Sequence, residues 1–450
     1  MSSLADRLRV MLGPQGGLKG PPLRQDGDPQ YEIERGGGPS GPVDAADILG
    51  GSWCESRGWK FLVVDRRFAP GYRHGSMCVA DCLPPWPRFE LLATGGSDRL
   101  RASRFGESAV ARILFLDLET TGLAGGAGTY AFLVGCGWFE PPSPSSLGQG
   151  ASFHTRQFFL ADFAAERALL ESVTHLAGDF SCLVTYNGKA FDLPLMETRL
   201  ALQRMETPFA DVAHVDLLHP ARRMWREEDV ECRLTYLEQA LCGHEREGDV
   251  PGFEIPSRYF RYVRSGDARP LEAVFEHNRL DIVSLAMLTA RASHLLEDGP
   301  SSVTTPREAF GMGRLYERAG MFEDALAAYR VCVDAEAGLK VRPCTGDLRA
   351  DALRASAILL RRLRRYQEAA AAWRELLGMR GCPPGYGREA TEALAVHHEH
   401  RVRDLEAARA FALQALPLQA TAARQEAVKY RLARIDRKLG ARALPCLPLA

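Results

Sequence analysis

The pattern of apolar and polar positions changes texture along this chain. From about Gly13 to Asp47 it has no period: glycine, proline and polar residues dominate, as in Gly-Gly-Gly-Pro-Ser-Gly-Pro at 36 to 42. Such a stretch buries too little apolar surface to offset the entropy of ordering, so a disordered leader is expected over residues 1–47. Lys60-Phe-Leu-Val-Val-Asp65 then reads as a strand, and Gly71 to Leu83 as irregular or extended structure. These lie in an N-terminal extension, 48–105, to which the pattern assigns no role.

A sustained strand pattern begins at Arg112. Ile113 to Leu118 is the short, partly β-branched apolar run of a central strand, and Thr120-Thr121-Gly122 marks a turn. Tyr130 to Phe139 predicts a second strand and Phe153 to Leu160 a third, separated by a Pro/Ser/Gly loop at 141–150. A helix follows from near Asp162 through Glu166 to Val173, apolar at helical spacing. Cys182 to Tyr186 predicts a fourth strand and Leu193 to Leu202 a helix behind it. The expected fold over 106–300 is therefore α/β, a mixed central sheet flanked by helices.

From Pro306 the texture becomes helical and a spaced unit recurs: Ala325 with Tyr329, Ala369 with Trp373, Ala407 with Phe411. In each, a small residue precedes an aromatic by one helical turn, admitting a neighbouring helix while the aromatic fills the adjoining gap. The spacing, with Gly313 and Tyr316, resembles that of tetratricopeptide helix pairs. An all-α repeat domain of about three degenerate repeats is expected over 306–450, closed by a helix at Gln425 to Leu439.

Composition narrows the classes. A chain of 450 residues exceeds one ordinary core. With 25% charged and 46% hydrophobic residues it belongs with globular proteins, and no apolar run is long enough to span a bilayer. The first residues carry charges where a signal peptide needs apolar ones, and the eleven cysteines lack the spacing of a disulfide framework, so a cytoplasmic location is expected. Cys78 and Cys82, with Cys54 upstream, lack the second ligand pair of a zinc site, and ordinary buried thiols are the alternative. A net charge of -1 excludes a globally basic coat, so any phosphate contact must use a local patch.

Asp117 and Glu119 occupy alternate positions of a strand and so share one face. Two anions side by side repel unless a cation lies between them, and hard oxygen ligands of this kind suit Mg²⁺ or Mn²⁺. A helix cap and an exposed carboxylate are the bland alternative. Asn187-Gly-Lys-Ala-Phe-Asp192 follows the fourth predicted strand and, taken alone, could be a turn and a cap. His277 and Asp281 lie four apart in a helical context, which puts them on one face, where a surface ion pair is the alternative.

All three in this order resemble the exonuclease motifs of the DEDD superfamily. Asp117-Leu-Glu-Thr-Thr-Gly-Leu123 is similar to the first, Asn187 to Asp192 to the second, and His277 to Asp281 to the third. With His214 to Trp225 and the helical tail, the chain from about residue 60 resembles the YprB-type ribonuclease H-like proteins. That resemblance implies a 3′–5′ exonuclease using two ions, Mg²⁺ or Mn²⁺. Asp117 would bridge both ions, Glu119 and Asp281 would complete the site of the nucleophilic water, and Asp192 would hold the second ion. His277 would take the water's proton. The backbone of Thr120, Thr121, Gly122 and Leu123, with Asn187, would meet the terminal nucleotide. Histidine-type members place the base five residues before the final Asp, whereas His277 stands four before, the spacing of tyrosine-type members. Base, water-orienting group and phosphate contact thus stay open for it.

Arg222, Arg223 and Arg226, then Arg258, Arg261 and Arg264 interleaved with Tyr259, Phe260 and Tyr262, could guide a single strand, or form a solvated amphipathic segment. Arg361 to Arg365 reads as a solvated helix face. The expected partners are nucleic acid, DNA or RNA, through its 3′ end, and a protein or peptide on the repeats. Competing readings are a ribonuclease H-like endonuclease and an adaptor whose nuclease-like domain only holds nucleic acid.

Overall fold

The computed structural model describes residues 32–34, 44–84, 86–93, 112–122, 126, 128–140, 152–210, 212–226, 232–334, 346–418 and 421–443. They form two compact units, one of residues 1–222 and 227–297, the other of residues 223–226 and 298–450.

The strands are β1 (Glu32–Glu34), β2 (Ser52–Ser56), β3 (Trp59–Phe68), β4 (Arg73–His74), β5 (Met77–Cys78), β6 (Ile113–Thr120), β7 (Ala131–Glu140), β8 (Ser152–Phe159), β9 (Cys182–Thr185) and β10 (Ala213–Asp216). Eight of them make one sheet in the order β1-β2-β3-β8-β7-β6-β9-β10, and β4 pairs with β5. The meander β6-β7-β8 is antiparallel, while β9 runs parallel to both β6 and β10. This is the mixed sheet expected from the pattern. The extension of open role contributes β2 and β3, which lengthen the meander beyond β8. β10, four residues long like β9, was not anticipated.

Alternation along β6 divides its side chains between two faces. Leu114, Leu116 and Leu118 are buried in a core that includes Leu169, Leu170 and Val173 of the helix Glu166–Ala177 and Met196 of the helix Asp192–Leu202. Those two helices are tied by a buried ion pair, Glu166 accepting at 2.5 and 2.6 Å from the Arg199 guanidinium, which also lies 3.9 Å from the Tyr130 ring centroid. On the other face Asp117 stands beside Gly135, and Gly135 beside Gln157. The long helix Glu272–Asp298 crosses this row.

That crossing depends on glycine. A Cβ at Gly135 would lie 2.3 Å from Asn278 Oδ1 and 2.4 Å from Ile282 Cδ1, and one at Gly137 would lie 2.3 Å from Ile282 Cγ2. Four helical residues rise about 6 Å and two strand residues about 6.7 Å, so Asn278 and Ile282 fall in step with Gly135 and Gly137.

In the second unit, the helices Pro306–Ala319, Phe322–Asp334, Gly346–Arg362, Tyr366–Gly378, Pro384–His397, Leu405–Ala415 and Ala422–Ala443 each pack on the next in the chain. Ala325, Tyr329, Ala369 and Trp373 are buried, and Phe411 stacks on His398. Arg365 is paired with Glu323 and Glu368 on the surface, as expected of a solvated face. Among the described residues, no helix is long and apolar enough to cross a membrane.

Gly135→Ala should destabilise the protein by about 1–3 kcal/mol, because the new methyl overpacks the helix crossing. Gly71→Ala, where nothing lies within 4 Å of the added Cβ, is the control. Urea unfolding of both variants measures this, and equal midpoints would contradict the close-approach argument.

Candidate functional site

Parallel pairing of β6 with β9 brings the ends of both strands to the same edge, in the register Ile113 with Cys182 to Phe115 with Val184. Asp117 and Glu119 lie near the end of β6, where the register with β7 shifts between Glu119 and Thr120. Beyond β9 the chain turns sharply. Asn187 is left-handed, with φ +67°. Its N–H and that of Lys189 donate to the two carboxylate oxygens of Asp216, at 2.8 and 3.1 Å. Gly188 passes so close to Thr185 that a Cβ would meet its Oγ1 at 2.4 Å. Asp192 then opens its helix and accepts a backbone hydrogen bond from Leu118.

The third element is the long helix, which offers His277, Asn278 and Asp281. Asn278 is buried, donates to Asp117 Oδ2 at 2.8 Å, and accepts from Gln157 Nε2 at 2.9 Å. Gln157 also donates to the Phe275 carbonyl at 2.8 Å. A chain of neutral amides thus anchors Asp117 from beneath.

The four carboxylates are electrostatic neighbours. Burial, then the charges of Asp281, Glu119 and Asp192, push the Asp117 carboxyl well above its usual range, against the opposing hydrogen bond from Asn278. Glu119 is raised in the same way by burial, Asp281, Asp192 and Asp249. Asp192 is raised from 3.8 to about 7, by burial first and by the charges of Asp216 and Asp281, despite the backbone N–H bonds that favour its ionised form. A hard, multiply anionic oxygen set of this kind matches the donor preference of Mg²⁺ or Mn²⁺.

His277 points its two nitrogens at different partners. Nδ1 lies 2.6 Å from Asp249 Oδ1, and Nε2 lies 3.9 Å from Glu119 Oε1 and 3.6 Å from Asp281 Oδ2. Asp281 Oδ1 accepts from Arg246 at 2.5 Å, and the same guanidinium donates through Nε to Glu238 Oε2 at 2.6 Å. Glu238, at the start of a π-helical turn, is buried with His74 and Ser284.

Among the described residues, His74, Glu238 and His244 are the group whose ligand atoms all lie within 4.8 Å of one another. Their arrangement suits a hydrogen-bonded clamp better than an ion. The imidazoles stack at 4.0 Å with 24° between planes, so their in-plane lone pairs run alongside each other rather than converging. Glu238 already accepts from His74 at 2.7 Å and Ser284 at 2.6 Å. Burial alone would raise its carboxyl, but these bonds and Arg246 hold it below the usual range. Cys82 is buried and its thiol pushed up to about 12, so it is neutral and a poor zinc ligand.

Thr120 Oγ1 donates to the Gly122 carbonyl at 3.0 Å, and Thr121 exchanges bonds with the Tyr130 backbone, which closes the turn after β6. Leu123 lies outside the described residues. The aromatic residues considered for base stacking belong to the core instead. Tyr259 is fully buried, stacks on Phe132 at 4.1 Å and donates to the Leu160 carbonyl, and Tyr262 is buried. Helical periodicity turns both inward, while Arg261 and Arg264 are exposed. Asn278 and Asp216 were within the recognised segments, yet nothing in their spacing distinguished them. Arg246 and Asp249 gave no local signal.

Raised carboxyls carry a pH signature. Between about pH 4 and 7 Asp192 binds more proton in the folded than in the unfolded state, so its contribution to stability falls as pH rises through that window and stays lost above it. In EDTA, the melting temperature of Asp192→Asn should therefore decline less over this range than that of the unaltered chain. Parallel profiles would refute the assigned shift.

Residues 114–293 match the family model of the RNase_H superfamily, and this part of the chain is a ribonuclease H-like domain. The uncharacterized protein YprB of Bacillus subtilis (strain 168) is 29% identical over 387 residues, which span 84% of this chain and 86% of that protein.

Proposed function

We propose that the chain is a metal-dependent 3′–5′ exonuclease that hydrolyses the terminal phosphodiester of DNA or RNA. The observation that carries this reading is the electrostatic convergence of Asp117, Glu119, Asp192 and Asp281, with His277 Nε2 facing two of them. A structural core has no use for four carboxylates gathered at one place, and burial with mutual repulsion opposes the ionised forms of Asp117, Glu119 and Asp192 unless a cation offsets it.

Asp117, held by Asn278, would be a ligand common to both ions, with Glu119 and Asp281 completing the site of one and Asp192 that of the other. Two divalent ions, when bound, supply positive charge opposite the attacking and the leaving oxygen of the phosphodiester. His277 accepts the proton of the attacking water at Nε2, the nitrogen turned toward Glu119 and Asp281. The closed turn at Thr120 to Gly122, with Leu123 and Asn187, receives the terminal nucleotide. Asp281 Oδ1 is bonded to Arg246 Nη2, so an ion held at that oxygen would compete with this bond, while the guanidinium would stay tied to Glu238 through Nε.

The helical unit reads as tetratricopeptide-like and as a surface for a protein or peptide. In support, a Cβ at Gly313 would meet the Tyr329 ring at 2.5 Å, so the small-against-aromatic packing of that motif is used here.

The test is incubation of the full chain with end-labelled single- and double-stranded DNA and RNA in Mg²⁺ or Mn²⁺. Stepwise shortening from the 3′ end is expected, with circular substrates left intact. Outer groups that orient a metal ligand are themselves worth about 10–100-fold, so Asp117→Ala should lose more than about 100-fold. Cleavage of circles would make the enzyme an endonuclease, and inertness with every divalent metal would overturn the nuclease reading.

A further inference from the structure

Asp249 belongs to none of the motifs that point to the carboxylate centre. It lies between the π-helical turn and the helix Ile255–Ser265, and it reaches His277 across 28 positions of sequence. Its own orientation is set from two sides: Oδ1 accepts from the Val250 N–H at 2.9 Å, and Oδ2 faces Arg246 at 3.4 Å. An ionised carboxylate held in this way can only accept.

A carboxylate accepting from Nδ1 requires the proton of a neutral imidazole to sit on Nδ1, and this leaves the lone pair on Nε2. Nε2 is the nitrogen that faces Glu119 and Asp281. At 3.9 and 3.6 Å, neither separation is a hydrogen bond, so that lone pair is committed to neither carboxylate. The opposite tautomer would put a hydrogen where a base needs its electron pair.

We infer that Asp249 is the positioning residue of His277, holding it in the Nδ1–H tautomer with Nε2 presented to the reacting water. This extends the nuclease reading and rests on it for its kinetic consequence, whereas the tautomer itself does not depend on any activity. It also gives the four-residue spacing a physical basis. A histidine one helical turn before Asp281 shares its face of the helix, and the aim of its ring comes from outside the motif. Asp249 bonds His277 directly and so acts through it.

The experiment compares the full chain with Asp249→Ala, Asp249→Asn and Asp249→Glu, each checked by near-ultraviolet circular dichroism. Asp249→Asn keeps the side chain's shape should the alanine variant fail to fold. In ¹⁵N spectra of histidine-labelled protein, with the His277 signal assigned by His277→Gln, the unaltered chain should carry its proton on Nδ1. Asp249→Ala or Asp249→Asn should lose that preference. In the nuclease assay kcat should fall by about 10–100-fold with KM and half-saturating Mn²⁺ unchanged, and Asp249→Glu should recover part of the loss. An unaltered His277 spectrum in a folded variant overturns the inference. So does a loss repaired by excess Mn²⁺, which would make Asp249 a metal ligand. If the unaltered chain cleaves nothing, the nuclease reading falls while the spectra still decide the tautomer.

Discussion

Asn278 spans the gap between sheet and helix at the point where every other feature of the centre is hung. Its amide donates to Asp117 and accepts from Gln157, above a glycine that leaves room for it and nothing larger. An unmade hydrogen bond at a fully buried amide costs about 1–3 kcal/mol, so the helix cannot slide along the sheet without losing both partners. The position of the helix in turn decides where His277 and Asp281 stand relative to Asp117 and Glu119. A neutral side chain thereby sets the distance between charged ones, adding no charge to a cluster that already carries too much of one sign.

The repulsion in that cluster is held in check by structure on all sides. Asp216, itself buried, gathers the backbone of Asn187, Lys189 and Leu218, which shapes the turn that delivers Asp192. The Glu166–Arg199 pair ties the helix that begins at Asp192 to its neighbour behind the sheet. Arg246 meets Asp281 from the far side and passes the load to Glu238, His74 and Ser284. Folding strength is thus spent on keeping anions close, which is the arrangement of a site poised for cations rather than of a core optimised for stability.

Two layers of hydrogen bonding can be distinguished around the centre. One is formed by backbone and amide groups and has no dependence on protonation: Asn278, Gln157 and the turn at Thr120 and Thr121. The other is ionisable and runs from Glu238 through Arg246 to Asp249 and His277. Its members contact His277 and Asp281 but not Asp117, so the side of the centre around His277 has electrostatic support separate from the amides that hold Asp117.

Much of this protein is local and therefore legible in its sequence. The runs at Ile113, Tyr130, Phe153 and Cys182, the helices that follow the last two and the helical texture after Pro306 follow from periodicity, which depends on neighbours a few residues apart. Asp117, Glu119, Asp192, His277 and Asp281 could be singled out because their three segments, each with an ordinary reading as a cap, a turn or an ion pair, together resemble the DEDD motifs. The inward turn of Tyr259 and Tyr262 was not separable from an exposed aromatic face, since both readings share one helical period. What tertiary structure alone decided are the groups that make those five residues a site. Asn278 meets Asp117 from 161 positions away, and Arg246 and Asp249 reach the long helix from a segment without period or motif. Such pairings arise from register across strands and the close approach permitted by Gly135, and neither leaves a trace in the spacing of residues along the chain.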